Sequence, residues 1–106
     1  MDKTAIIDEI ILHLRTQLRL NGLNVESIAL FGSALTGEMN EDSDIDLIIV
    51  SSDFQNKDLF ERSELTMKPE IETLRKFKIP MDIINLTPEE YKDSQVKMYY
   101  NSRIVA

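Results

Sequence analysis

Between residues 4 and 20, Ile6, Ile7, Ile10, Ile11, Leu14 and Leu18 recur at helical intervals, and Asp8, Glu9, Arg15 and Arg19 fall on the other face. That spacing predicts an amphipathic helix, and Asn21-Gly22 is a stop signal behind it. Residues 25–31 predict a strand ending in Leu30-Phe31, followed by Gly32-Ser33 and a polar stretch to Ser43. Residues 44–51 give the strongest strand signal. The unbroken apolar run from Leu47 to Val50 predicts a strand covered on both faces. Residues 57–77 read as helical, with Leu59, Phe60, Ile71, Leu74 and Phe77 as core candidates. Pro69 lacks an N–H and clashes with the preceding turn, so two short helices are expected, the second starting near Pro69. Residues 80–86 predict a third strand. Thr87-Pro88-Glu89-Glu90 spells a capping box with proline at the first helical position, and predicts a helix running to the middle nineties. Arg103 to Ala106 form either an edge strand or a loose end. The order α-β-β-α-β-α implies an α+β fold with helices packed on one small mixed sheet.

Length and composition narrow this picture. The 106 residues predict a single domain over 1–106. A chain of this size buries only about two thirds of its unfolded surface, so a partner that covers more would stabilise it. The hydrophobic share of 42% and charged share of 29% are ordinary for a globular chain. No apolar run approaches the ~18 residues needed to span a bilayer, and Met1-Asp2-Lys3-Thr4 does not open a secretory signal. Cysteine is absent, which removes disulfides and thiolate chemistry and fits a cytoplasmic location. The net charge of −7 argues against general nucleic-acid binding without a basic patch or metal ions.

The acid is uneven. Glu38, Glu41, Asp42, Asp44 and Asp46 crowd one short stretch, which calls for a cation. On a strand Asp44 and Asp46 share a face, where their carboxylates repel unless a cation intervenes. Hard oxygen donors on one face suit Mg²⁺, with substrate phosphates completing its shell. Two such ions would clamp the attacking and leaving oxygens of a phosphoryl transfer. Asp82 lies in the third strand among Met81, Ile83 and Ile84, where an aspartate is costly unless paired or metal-bound. If that strand neighbours the second, Asp82 faces the same ions; otherwise it is a strand-edge residue satisfied by backbone donors. Gly32 allows close backbone approach, and Ser33 with the following N–H groups suits a phosphate or an ordinary helix cap. Gly37 lets the loop turn back toward the second strand.

Other readings compete. The acidic stretch is also compatible with a solvated turn. Asp42, Asp44, Asp46 and Asp53 have the spacing of a calcium loop, but Leu47 stands where that loop needs glycine. A haloacid-type phosphatase also uses Asp-x-Asp, but after its hydrophobic strand, whereas here the pair comes before one. His13 has no ligand cluster around it and reads as a boundary residue. Tyr91, Tyr99 and Tyr100 read as packing or interface residues. Met67, Met81 and Met98 add adaptable apolar surface.

Leu30-Phe31-Gly32-Ser33, then Gly37-Glu38, then Ser43-Asp44-Ile45-Asp46-Leu47 resembles the signature of the polymerase-beta-type nucleotidyltransferases, above all their minimal, stand-alone prokaryotic members. The resemblance covers the whole chain and implies the polymerase-beta-like nucleotidyltransferase fold. It implies that Gly32 and Ser33 hold the triphosphate of an NTP such as ATP. It also implies that Asp44, Asp46 and Asp82 are the catalytic carboxylates and hold two Mg²⁺ or Mn²⁺ ions. The reaction implied moves a nucleoside monophosphate onto a hydroxyl acceptor, for instance one on a protein, and releases pyrophosphate. Many members carry an aromatic and an arginine within the loop, where this chain has Ala34-Leu35-Thr36 and no basic residue between Gly32 and Asp46. Lys57, Arg62 and Lys68 are the candidates to supply that cation. Minimal members are often paired with a small helical protein of the HEPN type in a toxin–antitoxin system. The resemblance therefore implies either an active enzyme or a weakly active binding module acting as an antitoxin-like partner. Self-association is the other expectation for its surface.

Overall fold

The computed structural model describes residues 3–32, 44–93 and 102–106. Helix α1 (Lys3–Leu20) leads into strand β1 (Ser27–Phe31) and strand β2 (Ile45–Val50). A 3-10 turn (Ser52–Phe54), helix α2 (Leu59–Phe77), strand β3 (Met81–Leu86), helix α3 (Pro88–Lys92) and strand β4 (Arg103–Ile104) follow. The four strands form one mixed sheet in the order β3-β2-β1-β4. β1 runs antiparallel to β2 and β4, while β2 and β3 are parallel and joined across α2. A parallel pair needs such a crossover, because a tight turn only returns the chain antiparallel. The α+β expectation therefore holds, and Arg103–Ile104 takes the edge-strand option.

The core sits between the sheet and α1. Ile7, Ile10, Ile11, Leu14 and Leu18 pack on Ile28, Leu30, Ile45, Leu47 and Ile49, with Phe54 closing one end. These helix positions are the stripe that the spacing predicts. The alternate residues Ala29, Ile48 and Val50 face the other side and pack with Phe31, Ile84, Leu86 and Tyr91. β2 is thus covered on both faces, which is why its apolar run is unbroken.

Helix α2 corrects two expectations. It is one continuous helix with Pro69 buried inside it. A proline there removes one backbone bond. The Pro69 carbonyl accepts the Thr73 hydroxyl at 2.8 Å, and α1 braces this stretch through His13, whose Nδ1 lies 3.0 Å from Thr73 Oγ1. With the Thr73 proton committed to Pro69, His13 is the donor of that second bond. The capping box of Asp58 and Glu61 starts the helix, and Lys78 in the left-handed region ends it. Its inward face is Arg62, Thr66, Pro69 and Thr73, not the apolar set expected: Leu59, Phe60, Ile71 and Leu74 are exposed, and only Phe77 packs on the core. Helix α3 has the expected capping box and proline but stops at Lys92. Tyr91 packs as expected and its hydroxyl pairs with Ser102 at 2.8 Å. Met98, Tyr99 and Tyr100 lie outside the described residues. Among the described residues no helix is long and apolar enough to cross a membrane.

Candidate active site

Strand pairing brings the carboxylates together. In the parallel β2–β3 register Asp46 stands directly opposite Asp82, and across the antiparallel pair it stands opposite Phe31. Adjacent strands are ~4.8 Å apart, so Asp46 and Asp82 project side by side from the sheet face that also carries Ile48 and Ile84. Asp44, two residues before Asp46, shares that direction at a strand spacing of roughly 7 Å. Burial, then the charge of Asp82, then that of Asp44 hold the Asp46 carboxyl above its usual range. This is the like-charge crowding that a cation relieves.

Gly32 closes the site from β1. Its φ is +65°, which favours glycine, and a Cβ placed there would collide with the Asp46 carboxylate and lie 3.1 Å from its Cγ. The residue thus does two things: it turns the chain out of β1, and it leaves room for the Asp46 carboxylate beneath that turn. Its place after a strand signalled close backbone approach, while its closeness to Asp46 follows from the β1–β2 register.

The donor set fits a hard divalent cation. It is three carboxylates, two on neighbouring strands and all at the end of β2 that receives the chain from β1. Among the described residues no group of three His, Cys, Asp or Glu side chains stands close enough together to hold a metal ion. Ser33, Gly37, Glu38, Glu41 and Asp42 lie outside the described residues. Asp53, the last member of the calcium-loop spacing, lies beyond the opposite end of β2. There its Oδ2 accepts the Asn24 N–H at 2.8 Å, so that loop does not form.

Two of the proposed substitutes for a loop cation are placed elsewhere. Arg62 is buried, with its guanidinium donating to the carbonyls of Lys57 (2.9 Å) and Asn85 (3.0 Å) and to Glu90 (2.7 Å). It also lies over the Phe54 ring at 5.9 Å. Lys57 borders a hollow with Asn21, Gly22 and Asp53, beyond the far end of β2. Lys68 is exposed on α2. Arg62 instead ties the start of α2 to the end of β3 and to α3. Its lone basic position gave no hint of this, since two of its three acceptors, the Asn85 carbonyl and the Glu90 carboxylate, come from distant segments.

The family model for the nucleotidyltransferase domain matches residues 9–106. No curated protein matches the chain significantly. Among solved structures, a candidate nucleotidyltransferase from Sulfolobus solfataricus aligns at a TM-score of 0.62 with 21% identity, over 98% of this chain and 87% of that one. A second candidate nucleotidyltransferase aligns at 0.57 with 22% identity, over 91% of this chain and 97% of that one. A toxin–antitoxin crystallised with AMP-PNP aligns at 0.56 with 21% identity, over 87% of this chain and 68% of that one. At these identities the structural likeness establishes the fold. Matched by the family model along nearly its whole length, the chain belongs to the nucleotidyltransferase domain family.

Proposed function

We propose that this chain transfers a nucleoside monophosphate from an NTP to a hydroxyl acceptor, with Asp44, Asp46 and Asp82 as catalytic carboxylates and divalent-metal ligands. The observation that carries the reading is the register of Asp46 against Asp82, with Asp44 two residues away and Gly32 packed on the same carboxylate. In this reading Asp44 and Asp46 hold the metal that accompanies the triphosphate. Asp82 holds the second ion and stands beside the acceptor hydroxyl as its proton acceptor. Bound there, Mg²⁺ or Mn²⁺ would neutralise phosphate charge and acidify the hydroxyl. The acceptor oxygen then bonds to the α-phosphorus as the bond to the bridging oxygen breaks, and pyrophosphate leaves. Gly32 and Ser33 are assigned to the triphosphate, where backbone N–H groups at a turn meet negative oxygen.

The roles separate in a labelled-NTP transfer assay run beside NTP binding in saturating Mg²⁺. Asp46→Asn is expected to lose both binding and transfer, and Asp82→Asn to lose transfer by about 10²-fold or more with a smaller loss of binding. Equal binding losses would refute the division of roles, and undiminished transfer by Asp82→Asn would remove it from the site.

A second reading is supported by the toxin–antitoxin neighbour and by the absence of a basic residue between Gly32 and Asp46. In it the chain is a weakly active, nucleotide-binding antitoxin-like partner of a small helical HEPN-type protein. Addition of that partner would then be required for transfer, with the partner itself as acceptor.

A further inference from the structure

The outward face of α2 does not look like a solvent face. Phe60 is 83% exposed, Met67 52%, Ile71 41% and Leu74 43%, and all recur at helical intervals along one side. Met67, Ile71 and Leu74 join Met81 and Asn85 of β3 in lining a groove of about 300 Å³, with Ser63 and Glu70 in the same wall. β3 is the last strand of the sheet on this side, so the groove runs along an open edge. A contiguous apolar surface rimmed by polar groups marks an interaction site.

The polar groups in the groove define what fits. Asn85 Nδ2 donates to Thr66 Oγ1 at 3.3 Å, and the Thr66 hydroxyl in turn donates to the Ser63 carbonyl at 3.4 Å. The Glu70 carboxylate in the same wall is half-buried and, among the described residues, makes no ion pair. Asn85 Oδ1 is buried nearby without a donor. A half-buried carboxylate with free lone pairs, set among apolar side chains, is matched by a cation carried on an apolar surface. A second copy of this chain brings another net charge of −7, which disfavours pairing of like with like.

We propose that the α2–β3 groove is the docking site for an amphipathic helix of a partner protein, whose apolar residues cover Met67, Ile71, Leu74 and Met81 and whose arginine or lysine pairs with Glu70. The proposal rests on the partner-dependent reading above and gives it a surface. It is separable from the transfer reading, because Met81 and Asn85 point to the helix-covered sheet face and Asp82 to the opposite one.

The test titrates the ¹⁵N-labelled protein with a helical peptide carrying a leucine stripe around one arginine, and with its twin carrying glutamate in place of the arginine. The arginine peptide should shift the resonances of Met67, Glu70, Ile71, Leu74, Met81 and Asn85 and bind about tenfold more tightly than its twin. Glu70→Gln should erase that preference and Ile71→Lys should abolish binding of both peptides, each with an unchanged melting profile and unchanged NTP affinity. Equal binding of the two peptides, or shifts confined to other surfaces, overturns the proposal. So does sedimentation that shows a dimer which Ile71→Lys dissolves, since the groove then belongs to a second copy. Altered NTP binding in Glu70→Gln or Ile71→Lys would show that the groove and the carboxylate site are not separate, and would overturn it as well.

Discussion

At the scale of single residues, the site is held at an energetic disadvantage that its ligand is expected to remove. The Asp46 carboxyl is raised by burial, Asp82 and Asp44, so its ionised form is less favourable folded than unfolded. For an acid the consequence has a fixed sign. The penalty is absent well below the ordinary value of 3.8, grows as pH rises through it, and is complete above the raised folded value. Asp46→Asn should therefore stabilise the metal-free protein at neutral pH. Asp46 is largely solvated, so screening keeps the gain within about 1 kcal/mol. Thermal melts of the two proteins in EDTA check this: the variant should melt higher at pH 7, and the difference should vanish near pH 3. A variant that melts lower at pH 7 would mean that Asp46 anchors the fold instead. Gly32 belongs at this scale too, because any side chain there meets the Asp46 carboxylate and a φ of +65°.

At the scale of elements, the strands and α1 were legible and α2 was only half so. Helical spacing locates α1 and apolar runs locate β1, β2 and β3, because their apolar residues do face a core. The candidate carboxylates were equally legible, since an aspartate at a strand start and another inside an apolar strand are both conspicuous. What the pattern cannot report is α2 turning its apolar side outward. Its inner face is held by polar bonds, from Arg62 to Lys57, Asn85 and Glu90 and from Thr73 to Pro69 and His13. Three of those partners, Asn85, Glu90 and His13, are brought from other segments. Arg62→Ala should cost about 2–3 kcal/mol, because it strands the part-buried carbonyls of Lys57 and Asn85. Arg62→Lys should recover only part of that, since an ammonium does not reproduce the guanidinium fork. The Arg62 side-chain bond holds the Glu90 carboxyl below its usual range, despite an opposing effect of burial. Its stabilisation is therefore present above the ordinary value of 4.5 and lost as pH falls through the lowered folded value. Acid denaturation monitored by circular dichroism should show Arg62→Ala less sensitive over that acid range than the wild type. Identical acid sensitivity would show that the pair does not link α2 to α3 in solution.

At the scale of the whole molecule, charge governs how the site works. On the proposed function, a chain of net charge −7 presents Asp44, Asp46 and Asp82, at one end of β2 and β3, to a substrate that is itself a polyanion. Without a cation between them, protein and triphosphate repel. With one, the same carboxylates become the binding site, so affinity for NTP should be steeply metal-dependent. The sheet also keeps this chemistry apart from the α2–β3 groove, since Asp46 and Asp82 project from one face and α1 and α2 cover the other. Under the two proposals above, nucleotide and a helical partner would therefore bind together. The most direct measurement is calorimetric titration of ATP into the wild type and into an Asp44→Asn, Asp46→Asn double variant, at zero and at saturating Mg²⁺. The wild type should bind ATP only with Mg²⁺, and the double variant should lose that affinity by about 10²-fold or more while staying folded. Binding by the wild type that is unchanged by Mg²⁺, or full affinity in the folded double variant, would contradict the assignment of these carboxylates.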